Sequence, residues 1–252
     1  MCVEQNRSPD GSGFPGLGIY VHIPFCRAKC AYCDFNSFSG CEPLFAPYLM
    51  ALRAEMRLVQ ERYHLDAPYL ARTLYFGGGT PTVLQTDGLA LLVREARHSF
   101  CVPPEGEVTV EANPGTVDRA MLLDLRAVGV NRLSLGIQSF DDEMLRLLGR
   151  IHTVGQARQA VLDAQQAGFD NLNLDLLFGV PRQTMQTWQE SVRRALDLSP
   201  QHLSFYALTL EEGTLLAQRI RAGELDMPDD DLAADMYEWA VETLAQAGYV
   251  HY

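Results

Sequence analysis

The chain is 252 residues long, 47% hydrophobic and 21% charged, with a formal net charge of −12. That length supports one large domain with a real core, or two small ones, and the composition is that of a globular protein. The negative charge argues against nucleic acid or an anionic membrane surface as the main partner, because phosphates call for a basic face. No run of about 18 apolar residues spans a bilayer.

Met1 to Gly16 are polar and rich in Gly, Ser and Pro. They lack the basic start and apolar stretch of a secretory signal and read as a flexible tail, which places the protein in the reducing cytoplasm. Leu17–Ile23 reads as a first strand. The following helix repeats apolar residues at Tyr48, Leu52, Met56, Val59 and Tyr63, one face of a 3.6-residue period. Arg72–Phe76 is a second strand, followed by a helix through Leu89–Val93. Val108–Ala112 is a third strand, and a short helix at Met121–Leu125 leads to a fourth at Arg132–Gly136. A helix with Val154, Ala157, Val161 and Ala164 on one face ends at Gly168, a left-handed cap. Strand five is Asn171–Leu176 and strand six is His202–Ala207, with a helix at Trp188–Leu196 between them. A last helix carries Leu232, Met236, Ala240 and Leu244 and exits through Gly248.

Two stretches, Val128–Leu135 and Ala167–Leu174, are near-copies, each a helix exit feeding a strand. Six successive strand–helix units predict an α/β fold with a parallel sheet, either curled into a partial barrel or open and doubly wound. The chain divides into the tail 1–16, the body 17–228, and a region 229–252 that ends as another extended segment begins.

The chemistry starts at Cys26-x3-Cys30-x2-Cys33, directly after the first strand, at the sheet edge where α/β proteins place their sites. Three thiols in eight residues suit an iron–sulfur cluster with one iron left open. They also suit zinc with His22 as a fourth ligand. Gly77-Gly78-Gly79-Thr80-Pro81 follows the second strand; its glycines let backbone approach a ligand, and their N–H groups can meet a carboxylate. The run lacks the order of a nucleotide-phosphate loop. Glu111, Gln138 and Asp175 close the third, fourth and fifth strands, so their polar groups converge on one mouth. Cys2, Cys41 and Cys101 match no motif and read as buried or tail cysteines; His152, His202 and His251 read as structural.

These motifs resemble the radical SAM superfamily. The residues in question are Tyr20-x-His22-Ile23-Pro24-Phe25-Cys26-x3-Cys30-x-Tyr32-Cys33, Gly77–Pro81 and Glu111–Pro114, extended by Gly136–Phe140, Leu148-Gly149-Arg150-x-His152 and Asp175–Pro181. Within it they are similar to the branch of oxygen-independent coproporphyrinogen III oxidase and its relatives, the HemW-type heme chaperones. The resemblance implies a partial (β/α)6 barrel of parallel strands. It implies a [4Fe–4S] cluster on Cys26, Cys30 and Cys33, whose fourth iron takes S-adenosylmethionine (SAM). Gly78 and Gly79 meet the amino-acid end of SAM, with Tyr20 and Glu111 as further contacts. Tyr32, Thr80, Gln138, Arg150 and Asp175 match positions that in the oxidase contact SAM, several of them a second SAM molecule. The family's cofactors cleave SAM to a carbon radical, while the protein positions them.

Within the branch, the oxidase pattern carries a further cysteine two residues after the third. Here that position is Phe35, the chaperone-type pattern, which argues against coproporphyrinogen oxidase activity and for heme as the ligand. The implied partners are heme or a porphyrinogen and heme-accepting respiratory proteins; a homodimer is compatible with the sequence. Family members continue past the equivalent of Tyr252 into a smaller domain with a His-Asn-x-x-Tyr-Trp motif. That motif does not occur here, so the chain reads as cut short.

Overall fold

A computed structural model describes residues 17–62, 71–84 and 86–252. The Met1–Gly16 tail, Cys2 and Tyr63 lie outside the described residues. Six strands form one sheet: β1 (Leu17–Ile23), β2 (Ala71–Gly78), β3 (Glu107–Ala112), β4 (Arg132–Gln138), β5 (Leu172–Phe178) and β6 (His202–Ala207). Helices α1 (Phe45–Arg62), α2 (Thr86–Ser99) and α3 (Arg119–Ala127) make the first three crossovers. Helices α4 (Asp142–Leu147) and α5 (Val154–Gln166) make the fourth, and α6 (Met185–Asp197) the fifth. Then α7 (Leu215–Arg221) and α8 (Asp230–Gln246) follow β6.

The strand order is the chain order, β1 through β6, and every neighbouring pair is parallel. A doubly wound sheet reverses its order at a switch point, and this one never does. Crossovers that always step the same way put α1, α2, α3, α5, α6 and α8 on one face, where they share a core, while α4 packs with Leu177 and Val180 and α7 against Ala31 of the cysteine loop. β1 and β6 are not bonded to each other, so the half-barrel stays open.

Alternation along the strands fits that layout. Val21, Phe76, Val110, Leu135 and Leu174 point to the helix side and join Leu92, Leu122, Val161 and Val192 in one buried core. The intervening positions are Tyr20, Tyr75, Glu111, Ser134, Asp175 and Ser204, a polar set for the concave face. On α1 only Met56 is fully buried, while Tyr48, Leu52 and Val59 pack partly against the core. This helix covers β1, the edge strand, and has a neighbour on one side only.

Helix α8 shares the same core. The Trp188 Nε1–H donates to the Met236 carbonyl at 2.9 Å, and Met236 and Ala240 are buried with it. The near-copies end alike: Gly129 and Gly168 both take positive φ before their strands, so the left-handed cap expected at Gly168 is present. Among the described residues no helix is long and apolar enough to cross a membrane.

Candidate functional site

The cysteine loop is pinned at its base. Phe25–Cys26 pairs in parallel with Phe38–Ser39, and the Phe38 N–H donates to the Pro24 carbonyl at 2.8 Å. Cys26, Cys30 and Cys33 are half-buried and unbridged. Each faces a different partner. Thr80 Oγ1 donates to Cys26 Sγ at 3.5 Å, Arg150 Nη1 donates to Cys30 Sγ at 3.2 Å, and Cys33 Sγ lies 4.0 Å from Ser37 Oγ. Burial pushes the Cys33 thiol up from its ordinary pKa. Among the described residues no three His, Cys, Asp or Glu side chains close on one metal point. His22 is turned elsewhere, with Nδ1 3.1 Å from the Tyr20 hydroxyl and Nε2 3.0 Å from the Asn36 carbonyl. Both ring nitrogens are engaged, so nothing in the geometry favours His22 as a fourth zinc ligand.

The glycine turn packs against the cysteine loop. The Gly79 N–H donates to the Ile23 carbonyl at 2.8 Å and the Thr80 N–H to the Phe25 carbonyl at 2.7 Å. The Gly78 N–H donates to Glu111 Oε2 at 3.0 Å. A Cβ on Gly79 would sit 2.6 Å from the Phe25 carbonyl oxygen, and one on Gly78 would sit 2.4 Å from the His22 ring. The glycines are therefore demanded by the close approach of β1 and its loop. This corrects the expectation that their N–H groups face a ligand carboxylate. The N–H donors of Gly78 and Gly79 are spent inside the protein.

Glu111 is held from two sides, since the Tyr75 hydroxyl donates to Oε1 at 2.7 Å. Tyr75 stacks on Tyr20, ring centroids 6.0 Å apart, and Tyr20 is 56% exposed. Tyr75 was not singled out from the sequence; its place two residues before Gly77 on the polar face of β2 was the available signal. Asp175 accepts from Asn173 Nδ2 at 2.8 Å and Ser134 Oγ at 3.3 Å. Burial, with Glu111 nearby, pushes its carboxyl from 3.8 up to about 6 against those hydrogen bonds. Gln138 takes φ 68° at a register shift that ends β4, a strained backbone for a residue other than glycine. Gly136 lies between the Gln138 amide and the Arg150 guanidinium.

Arg150 Nη2 donates to the Gly136 carbonyl at 2.7 Å. Tyr32 lies beside it, its phenol held well above the ordinary range, chiefly by burial. His152, two residues on, is buried with Nδ1 3.1 Å from Asn113 Oδ1 and Nε2 3.2 Å from the Ile137 carbonyl. Burial pulls its pKa down to about 4, so the ring is neutral and its single N–H serves one of these two acceptors.

The structure thus gathers Cys30, Tyr32 and Arg150, then Cys26 with Thr80, then Gly78, Glu111, Tyr75 and Tyr20, along the C-terminal edge of one sheet. A separate hollow of about 910 Å³ lies between β6, α8 and the last residues, lined by His202, Tyr206, Tyr237 and Tyr252 among others. None of the sequence-predicted site residues lines it.

The family model of the radical SAM superfamily matches residues 20–195. The chain is 41% identical to heme chaperone HemW of Mycobacterium tuberculosis (strain CDC 1551 / Oshkosh) over 97% of its length and 63% of that protein's. It is 38% identical to heme chaperone HemW of Escherichia coli (strain K12), covering 94% of this chain and 61% of the relative. It therefore spans about three fifths of these relatives. Among solved structures, coproporphyrinogen III oxidase (HemN) from Escherichia coli, a radical SAM enzyme, matches with a TM-score of 0.83 at 30% identity. That match covers 93% of this chain and 54% of the oxidase. The chain belongs to the radical SAM superfamily, whose cofactors are a [4Fe–4S] cluster and SAM.

Proposed function

We propose that this chain is the radical SAM portion of a HemW-type heme chaperone, working in the reducing cytoplasm. It binds heme and hands it to respiratory acceptor proteins, acting as a homodimer. The 41% identity to a named heme chaperone supports the reading. The observation that carries the choice within the branch is Phe35. It is 65% exposed and stands two residues after Cys33, where the oxidase pattern has a thiol. The division into a 17–228 body and a 229–252 region is part of the same reading; α8, which makes up most of the second region, packs on the body's core through Met236 and Ala240.

The residues fit the superfamily's cofactors. Thiolates are the ligands that iron–sulfur clusters take, and Cys26, Cys30 and Cys33 are unbridged on one loop. Beside them is the half-buried Arg150, whose Nε is the one buried side-chain nitrogen or oxygen among the described residues without a hydrogen-bond partner. An orphaned, buried N–H on a cation asks for an anionic guest. Cys26, Cys30 and Cys33 would hold three irons of the cluster, and SAM would complete the fourth. Tyr20, the backbone of Gly78 and Gly79, Thr80 and Glu111 would meet SAM on the β1–β3 side. Tyr32, Gln138, Arg150 and Asp175 would meet it on the β4–β5 side. When bound, this pair supplies one-electron chemistry. The protein's own part is to orient: Tyr75 and the Gly78 N–H aim the Glu111 carboxylate, which suits an ammonium group, while Arg150 suits a carboxylate.

The test is anaerobic reconstitution followed by two assays. Titration with heme should give saturable binding with a shifted Soret band. Incubation with SAM, reductant and coproporphyrinogen III should yield no protoporphyrinogen; its formation would overturn the chaperone reading in favour of the oxidase. Cys30→Ala should abolish the brown cluster, and a variant that keeps full iron content would refute the ligand assignment.

A further inference from the structure

Arg150 is separated from Cys30 by 120 residues of sequence, yet its Nη1 donates to the Cys30 sulfur at 3.2 Å. The two are not brought together by side chains alone. The Ala31 N–H, next to Cys30, donates to the Leu148 carbonyl at 2.9 Å, and the Ala31 carbonyl accepts from Leu216 at 2.7 Å. Between Leu148 and Arg150 stands Gly149 at φ 72°, where a Cβ would sit 3.0 Å from the Ala31 nitrogen. Only glycine both adopts that turn and lets the two backbones touch. The loop of Cys30 and the turn of Arg150 are therefore one unit, and the second guanidinium nitrogen, bound to the Gly136 carbonyl, ties that unit to β4.

The charge at this point is unbalanced. No carboxylate among the described residues forms an ion pair with Arg150; the ion pairs present are Arg53–Glu95, Arg193 and Arg194 with Glu190, and Arg219–Glu224. A half-buried cation without a counter-ion is costly, and the fold keeps this one aimed at a sulfur. We infer that Arg150 is the fixed counter-charge of the iron–sulfur cluster, a positioning residue that holds Cys30 by an N–H···S bond and raises the cluster's reduction potential. Hydrogen bonds and positive charge at a ligand sulfur stabilise the more negative, reduced state, which is how proteins tune such potentials. This role is distinct from any contact of Arg150 with SAM, because it operates with SAM absent.

The inference rests on the cluster reading of the three cysteines, and the experiment separates the two. The full chain is reconstituted anaerobically as wild type, Arg150→Lys and Arg150→Met, without SAM. Iron and sulfide are counted, and the one-electron midpoint is measured by EPR-monitored titration. Arg150→Met should favour the oxidised cluster at least tenfold, a fall of about 59 mV. Arg150→Lys, which keeps the charge, should retain most of the wild-type potential. A loaded Arg150→Met protein with an unchanged midpoint overturns the inference while leaving the cluster reading intact. A wild type that takes up no iron overturns the cluster reading itself. If Arg150→Met holds no cluster, wild type labelled with [15N]arginine decides. Nitrogen hyperfine coupling to the reduced cluster is expected, and its absence refutes the contact.

Discussion

Asp175 sits on the concave face with its carboxyl raised from 3.8 to about 6. Burial is the largest cause and Glu111 adds to it, while Asn173, Ser134 and Ser204 pull the other way. A folded-state pKa above the unfolded one means that the folded protein binds the extra proton between those values. Stability is then greatest below about pH 4 and falls as pH rises, with the full penalty present above about pH 7. A difference of about 2 in pKa corresponds to up to about 3 kcal/mol. Asp175→Asn removes the ionisation and keeps the shape. Its carbonyl can accept from Asn173 Nδ2, and its amide can donate to the Ser134 hydroxyl, which rotates to suit. Thermal unfolding of both proteins, metal-free and reduced, is measured at pH 4 and pH 7.5. The variant should match wild type at pH 4 and melt about 6 °C higher at pH 7.5, taking about 2 °C per kcal/mol for a chain of this size. A gap that is the same at both pH values would refute the reasoning, since a packing effect does not titrate.

His152→Gln should act with the opposite sign. The buried ring resists protonation down to about pH 4, so wild type loses up to about 3 kcal/mol between pH 6.5 and 4. The variant should lose that acid sensitivity and be weaker at pH 7.5 by about 1 kcal/mol for its altered hydrogen bonds, read by denaturant titration across the range. Gly79→Ala drives a methyl against the Phe25 backbone and should cost about 1–3 kcal/mol, with lower iron uptake on reconstitution. An unperturbed melting point and full iron content would contradict the close approach. Trp188→Phe removes the bond to the Met236 carbonyl and leaves a void in the core, about 2 kcal/mol by calorimetry. A neutral result would mean that α8 is not braced there.

Short apolar runs between helical stretches made all six strands visible, because each strand packs one face against helices and carries the apolar residues that this requires. Helices α4 and α7 were not legible. They are six and seven residues long, too short for a 3.6-residue period to repeat, and are marked mainly by their caps, Asp141 and Thr214. Periodicity alone left half-barrel and doubly wound sheet open, because strand order is a matter of long-range pairing; the family resemblance implied the partial barrel, and the unbroken parallel strand order agrees with it. Tyr75 went unnoticed for a related reason: its role exists only opposite Glu111, on the neighbouring strand.

Local chemistry was written in the sequence alone. The spacing of Cys26, Cys30 and Cys33, the glycine run and the polar strand ends are short-range patterns that name a site wherever the chain folds them. Which groups in that site remain available was decided only in three dimensions. The glycine N–H groups turned out to be spent on Ile23 and Glu111, and His22 on Tyr20 and Asn36. The sulfur of Cys30 gained a guanidinium from 120 residues away. Spacing along a chain specifies which donors exist; hydrogen bonding between distant segments determines which of them a ligand can still find.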